Sequence, residues 1–183
     1  MNLEDVVNNI VADTAVDLTQ EFDRNFERKS FFDRKWPETN HPNSRGSLLN
    51  RTGKLRRSIN HTTTKGEIRW KSSLPYASIH NEGGDIVVTQ AMKRFFWAMY
   101  YKSSGAVLFN VRSKAAAKTK RNDKLQGEAK KWKAMALLKI GTKLEIKQRQ
   151  FIGWHPKVDQ VINDNAAHNM IEYNNYLAKR LKQ

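Results

Sequence analysis

Two short segments, far apart in the chain, constrain the fold more than any other part of it. One is Leu74-Pro75-Tyr76-Ala77-Ser78-Ile79-His80-Asn81-Glu82-Gly83-Gly84, and the other is Gln148-Arg149-Gln150-Phe151-Ile152-Gly153-Trp154. Each concentrates glycine, proline and aromatic residues where a surface loop ordinarily carries polar filler. Gly83, Gly84 and Gly153, with Gly53 upstream, permit backbone angles closed to other residues, and Pro75 fixes the approach to its turn. Both segments therefore read as fixed backbone corners. Neither holds the residue set of a catalytic centre.

The elements around the corners follow from periodicity. Leu3, Val6, Val7, Ile10, Val11, Leu18, Phe22 and Phe26 recur at steps of mostly three and four, which predicts one long amphipathic helix. Its early Glu4 and Asp5 suit the positive helix N-terminus. Phe31, Phe32 and Trp36 follow, and Pro37, Asn40, Pro42, Asn43 and Gly46 predict a turn-rich connection. After Thr52-Gly53, a short helical turn is expected over 54–58. Residues 59–64 and 67–72, with the β-branched run Thr62-Thr63-Thr64 and alternation around Ile68 and Trp70, read as a hairpin closed by Lys65-Gly66.

Residues 75–81 predict one helical turn, stopped by Gly83-Gly84. A strand is expected over 86–89, then a helix whose stripe Met92, Phe95, Phe96, Met99 and Tyr100 packs in a core. Residues 103–129 are rich in Ser, Ala, Lys, Asn and Gly and read as a flexible loop, with some helix around Ala115-Ala116-Ala117. A short apolar helix over 132–138 and a strand over 144–147 come next. Pro156 opens a last helix lined by Val158, Val161, Ile162, Met170, Tyr173, Leu177 and Leu181. There is no internal repeat. The pattern predicts an α+β fold, with a small, mainly antiparallel sheet packed against a long N-terminal helix, a middle helix and a C-terminal helix. A single domain over 1–183 is expected, with a Lys-rich flexible insertion at about 103–130.

Charge narrows the partners. The 183 residues carry a formal net charge of +15, which points to a polyanionic neighbour, nucleic acid or an acidic protein surface. Residues 1–23 hold six acids and no Lys or Arg, whereas residues 112–133 hold nine bases against Asp123 and Glu128. Such polarity suits head-to-tail contact between identical subunits or an acidic partner, although two solvated faces give the same pattern. The absence of cysteine excludes disulfides, thiolate metal sites and a Cys nucleophile. No apolar run approaches the roughly 18 residues of a membrane span. Met1-Asn2-Leu3-Glu4-Asp5 lacks the basic region of a secretory signal. A soluble protein made in a cytoplasm is the expectation, with no membrane contact.

Tests for chemistry return little. No two of His41, His61, His80, His155 and His168 stand at the spacing of a helical His-x-x-x-His motif, so no metal site is expected. His80 is a candidate general base, with Glu82 two residues on. An imidazole hydrogen-bonded to backbone at a tight turn is the favoured reading. There is no phosphate loop, no dinucleotide fingerprint and no nucleophile elbow, and Asp33 and Glu38 have no partner at a defined spacing. The bases Arg112, Lys114, Lys118, Lys120, Arg121, Lys124, Lys130, Lys131 and Lys133 are the candidate contact for DNA or an acidic partner, through phosphate neutralisation without sequence readout. Trp132 is the only aromatic among them, which argues against stacking on single strands.

Three motifs in order carry a resemblance. Leu49, Thr52, Gly53, Leu55, Ser58 and Ile59 form the first. Pro75, Tyr76, Ala77, Ile79, His80, Gly83 and Gly84 form the second, and Arg149, Phe151, Ile152 and Gly153 the third. With a long N-terminal helix ahead of them, they resemble the phage virion morphogenesis family, the tail-completion or neck proteins of tailed bacteriophages. The resemblance covers roughly residues 1–100 and 130–180 and leaves the Lys-rich insert outside. It implies a virion structural protein without catalytic residues or cofactor. Such a protein forms a homo-oligomeric ring of six subunits at the head-proximal end of the tail, assembled in the host cytoplasm. Its partners are the tail tube protein and the head–tail connector, and the basic segment outside the resemblance leaves open a non-specific contact with packaged DNA. Within that reading, Tyr76 and Phe151 anchor their corners in the core, and Arg149 bridges a carboxylate or backbone carbonyls at a subunit boundary. The competing expectations are a non-specific DNA-binding accessory protein using residues 112–133, and a nuclease or other hydrolase whose site assembles only in space.

Overall fold

The computed structural model describes residues 2–39 and 46–182. The turn expected at Asn40, Pro42 and Asn43 lies outside the described residues, as does His41. The chain divides into two compact units, one of residues 1–84 and 146–183 and one of residues 85–145. The architecture is α+β, as the periodicity predicts.

In the first unit, helix α1 (Leu3–Arg28) starts in a reciprocal cap. Asp5 N–H donates to Asn2 Oδ1 (2.8 Å), and Asn2 N–H donates to Asp5 Oδ2 (2.7 Å). The helix ends where Lys29 turns left-handed. Its stripe buries Val6, Leu18, Phe22 and Phe26, while Leu3 and Val7 of the first turns stay exposed. Strands β1 (Ser30–Phe31) and β2 (Arg34–Lys35) make a tiny antiparallel hairpin that brings Phe31 and Phe32 back onto Phe22.

Helix α2 (Lys54–Arg57) is the expected single turn. Strands β3 (Ile59–Thr64) and β4 (Glu67–Ser72) pair antiparallel in the register that the Lys65-Gly66 turn imposes, with Thr64 opposite Glu67. Trp70 fastens this hairpin to α1. Its ring meets Phe22 edge-on at 5.3 Å, and its Nε1–H donates to Thr19 Oγ1 (2.9 Å). Helix α3 (Ala77–Glu82) follows.

Helix α6 (Pro156–Arg180) closes the unit. His155 caps it: its Nδ1 accepts from Lys157 N–H (3.2 Å), which leaves Nε2–H to donate to Asp33 Oδ1 (2.9 Å). The same imidazole stacks on Phe32 at 4.7 Å. Asn165 and Asn169 of α6 donate to Asp17 (3.0 Å) and Asp13 (2.8 Å) of α1, so the two helices run antiparallel. The expected apolar lining of α6 holds at its start, where Val158 is buried with Leu18 and Phe22 and Val161 packs against them. Further along it is corrected: asparagines meet α1, and Ile162, Met170, Leu177 and Leu181 are exposed.

The second unit begins on β5 (Gly84–Val87) and ends on β6 (Lys143–Ile146), which pair with each other. Between them stand α4 (Gln90–Gly105) and α5 (Lys120–Leu137). Phe96 stacks on Trp132 at 6.0 Å and is buried, whereas Phe95 of the same predicted stripe is mostly exposed.

The flexible insertion expected at about 103–130 is corrected here. The loop before α5 is bridged at Phe109 and Ala116, so no helix forms at Ala115-Ala116-Ala117. The fully buried Asn122 holds this loop. Its Nδ2 donates to Leu108 O and Ala117 O (both 2.7 Å), and its Oδ1 accepts from Leu108 N–H (3.1 Å). Beyond the loop the Lys-rich stretch is helical, because Leu125, Ala129, Trp132 and Ala136 give it an apolar face at helical spacing. The bases on its other faces obscure that period in the sequence. Among the described residues the strands form three separate two-stranded sheets, and α4 takes α5 as its packing partner.

Candidate functional site

All three sequence motifs meet in one corner of the first unit, built on residues 149–152, which belong to no helix or strand. A backbone of that kind must find hydrogen bonds outside the regular ladders, and here side chains supply most of them. Arg149 N–H donates to His80 O (2.8 Å). Trp36 Nε1–H donates to Gln150 O (2.6 Å). Asn81 Oδ1 accepts from both Phe151 N–H (2.9 Å) and Ile152 N–H (3.0 Å). The fully buried Asn25 donates from Nδ2 to Phe151 O (3.3 Å) and accepts at Oδ1 from Phe32 N–H (3.0 Å).

The Phe151 side chain enters the core formed by Phe26, Trp36, Leu55 and Ala77, with its ring centroid 5.2 Å from that of Phe26. Gly83 lies against the returning chain at φ 76°. A Cβ there would stand 3.0 Å from Gln148 N, so both the angle and the space require glycine. Gly84 and Gly153 also take positive φ, and Gly53 does so at the start of α2.

Several expected roles change. Phe151 anchors the core as expected, but Tyr76 does not. Tyr76 is 41% exposed, and the smaller Ala77 takes the buried place beside it. Pro75 is also exposed. Thr52 contributes its carbonyl, which accepts from Arg57 Nη2 (2.9 Å). Arg149 reaches carbonyls of its own chain, donating from Nε to Pro37 O (3.0 Å) and from Nη2 to Glu38 O (3.5 Å). The favoured reading of His80, an imidazole bonded to backbone, is corrected too. Its carbonyl makes the backbone contact, and its Nδ1 is buried without a partner. Burial, reinforced by the Arg149 charge, pushes the His80 imidazole below its ordinary value and favours the neutral ring.

A cavity of about 340 Å³ opens on this corner. Leu49, Thr52, Gly53, Leu55, Tyr76, His80 and Arg149 from the motifs line it, together with Thr39, Leu48, Arg51 and Lys54. Among the described residues no carboxylate lines it. Nor does any group of three or more metal-ligating side chains occur among them.

The other predicted cluster lies in the second unit. Arg112, Lys114 and Lys118 are in the loop before α5, and Lys120, Arg121, Lys124, Lys130, Lys131 and Lys133 are on α5 itself. All nine are exposed. That unit holds 14 bases and 4 acids, a net +10 in 61 residues. The acids of residues 1–23, by contrast, bind within their own chain. Glu4 pairs with Lys65 (2.8 Å), Glu21 with Arg28 (3.0 Å) and Asp23 with Arg56, while Asp13 and Asp17 take the α6 asparagines.

Sequence reasoning missed Asn25, Trp36 and Asn81 as the holders of the corner. The signals were an asparagine on the apolar side of a long helix, and a second one just ahead of a Gly-Gly stop. Comparison with protein-family models, with curated proteins and with solved structures finds no match to this chain.

Two outcomes follow from this geometry. Asn81→Ala strands two backbone N–H groups, each costing about 1–3 kcal/mol. Asn81→Asp keeps the acceptor and loses less, and urea denaturation of the two variants measures the difference. His80 gives a pH dependence. Its folded-state value lies below the ordinary imidazole value of about 6.5, so on acidification the unfolded chain takes the proton first. The stability it supports is complete above that value and is withdrawn as the pH falls through the folded value. Denaturation midpoints followed downward from neutral pH are expected to fall less in His80→Gln than in the parent protein.

Proposed function

We propose that this chain is a non-catalytic structural subunit of a tailed-phage virion. It acts at the head-proximal end of the tail, in a homo-oligomeric ring that caps the tail tube and joins it to the head connector. The observation that carries this reading is the convergence of the three motifs on one corner. Their order along the chain suggested the phage virion morphogenesis family, and in space they form a single structural unit. Of the motif residues, Leu55, Ala77 and Phe151 fill the core and Arg149 holds the carbonyls of Pro37 and Glu38, as in a building block rather than a reaction centre. The exposed apolar residues of α6 (Ile162, Met170, Ile171, Leu177 and Leu181) offer surface for assembly.

Light scattering after size exclusion, on the purified chain alone and after incubation with tails lacking it, tests the reading. A closed ring, free or on the tail end, is the expected outcome. A virion map with no density for this chain at the neck would sink it.

The exposed bases of the second unit favour a second reading, a non-specific DNA-binding accessory protein. Because α5 carries half of its unit's helical core, deleting residues 112–133 would unfold that unit. Replacing Lys124, Lys130, Lys131 and Lys133 with glutamine is the cleaner test. Every phosphate that one of these lysines neutralises adds about 0.9 to the slope of log affinity against log salt on duplex DNA, so the replacements should flatten that slope accordingly. An unchanged slope would exclude this surface as the DNA contact.

A further inference from the structure

We propose that the cavity on the motif corner is a binding site for a phosphate group. The inference starts from Arg149. Its guanidinium is half-buried and, among the described residues, is satisfied only by the carbonyls of Pro37 and Glu38, with no carboxylate pairing with it. A partly buried cation without a counter-ion is costly, and burial accordingly lowers the Arg149 pKa. Two further cations, Arg51 and Lys54, line the same cavity, and neither makes an ion pair among the described residues.

Three positive groups thus share one concave surface with no acid among the described residues of its lining. The neutral His80 adds a fourth hydrogen-bonding group without changing that balance. A stranded buried N–H costs more than a stranded lone pair, so the ring proton belongs on Nε2 and not on the partnerless Nδ1. Nε2–H is then the donor the ring has to offer a ligand. Tyr76, whose ring meets His80 edge-on at 6.1 Å, also lines the cavity.

A doubly charged tetrahedral oxyanion needs donors on several sides, and guanidinium groups match its oxygens in pairs. The cavity's about 340 Å³ accommodates one phosphate with room for the chain or sugar attached to it. Its source is a free phosphate compound or the backbone of a nucleic acid.

The test is calorimetric titration of the full chain, in chloride buffer, with inorganic phosphate and separately with a short single-stranded oligonucleotide lacking a terminal phosphate. Saturable binding of inorganic phosphate is expected. It should weaken by about tenfold or more in the double variant Arg51→Gln/Lys54→Gln, which removes two charge-assisted hydrogen bonds. Both side chains are exposed, so an unchanged denaturation midpoint verifies the fold of that variant. If only inorganic phosphate binds in a manner sensitive to Arg51 and Lys54, the ligand is a phosphate monoester or free phosphate. If the oligonucleotide shares that sensitivity, the ligand is a nucleic-acid backbone.

The quadruple lysine-to-glutamine variant of α5 should bind inorganic phosphate as the parent does. Absence of saturable binding would overturn the proposal. So would equal affinity in the double variant, or equal weakening by the α5 replacements, which would mark general charge attraction. None of these readouts depends on ring assembly, so the site and the virion role stand or fall separately.

Discussion

The first unit depends on four residues of irregular backbone. Residues 149–152 form neither helix nor strand, yet Phe151 is buried among aromatic and aliphatic side chains. Buried peptide groups without partners would cost more than the phenyl ring gains. The unit meets this constraint with side chains, since Asn25, Trp36 and Asn81 take up backbone groups that a sheet would otherwise pair. These three come from three different elements. Long helix, aromatic connection and short helix are therefore fixed relative to one another through one short segment. The apolar contacts of Phe26, Leu55 and Phe151 and the polar contacts of the asparagines occupy the same place and cannot be varied independently.

That arrangement has a consequence for chain order. The partners of residues 149–152 lie at positions 25, 36, 80 and 81, so this core closes only after the chain has passed through the second unit. Long closures of this kind slow folding more than they destabilise the product, because closure entropy grows only logarithmically with length. Here the interruption is mild. β5 and β6 pair at the two ends of the second unit, so the chain leaves and re-enters at neighbouring points.

Much of this was legible in the sequence, for identifiable reasons. The stripe of α1, the β3–β4 register and the short helices at Lys54 and Ala77 came through because periodicity, turn residues and glycine stops agreed. The second unit was misread where they disagreed. Lysines and small residues hid the period of α5, whose apolar face is only Leu125, Ala129, Trp132 and Ala136. The loop before it read as unstructured because its organiser, Asn122, acts through tertiary hydrogen bonds that no local pattern encodes. For the same reason the corner's location was readable but its fastening was not. Glycine and proline advertise unusual backbone angles along the chain, whereas an asparagine that bonds a distant peptide looks like any other polar residue.

The charge pattern carries the last step. In the sequence the acidic start and the basic middle looked like complementary faces for neighbouring subunits. In the fold the acids of α1 are engaged inside the chain by Lys65, Arg24, Arg28 and Arg56 and by the α6 asparagines; the ion pairs are wholly or partly exposed, where each contributes little. The bases of the second unit keep no comparable set of acids, and Arg51, Lys54 and Arg149 at the corner keep none at all among the described residues. The net charge of +15 is thus not a diffuse property. It concentrates on an exposed surface of the second unit and on the three cations that line the cavity at the corner. Different physics governs the two, since the surface loses its attraction as salt screens it, while the partly enclosed cavity is screened less.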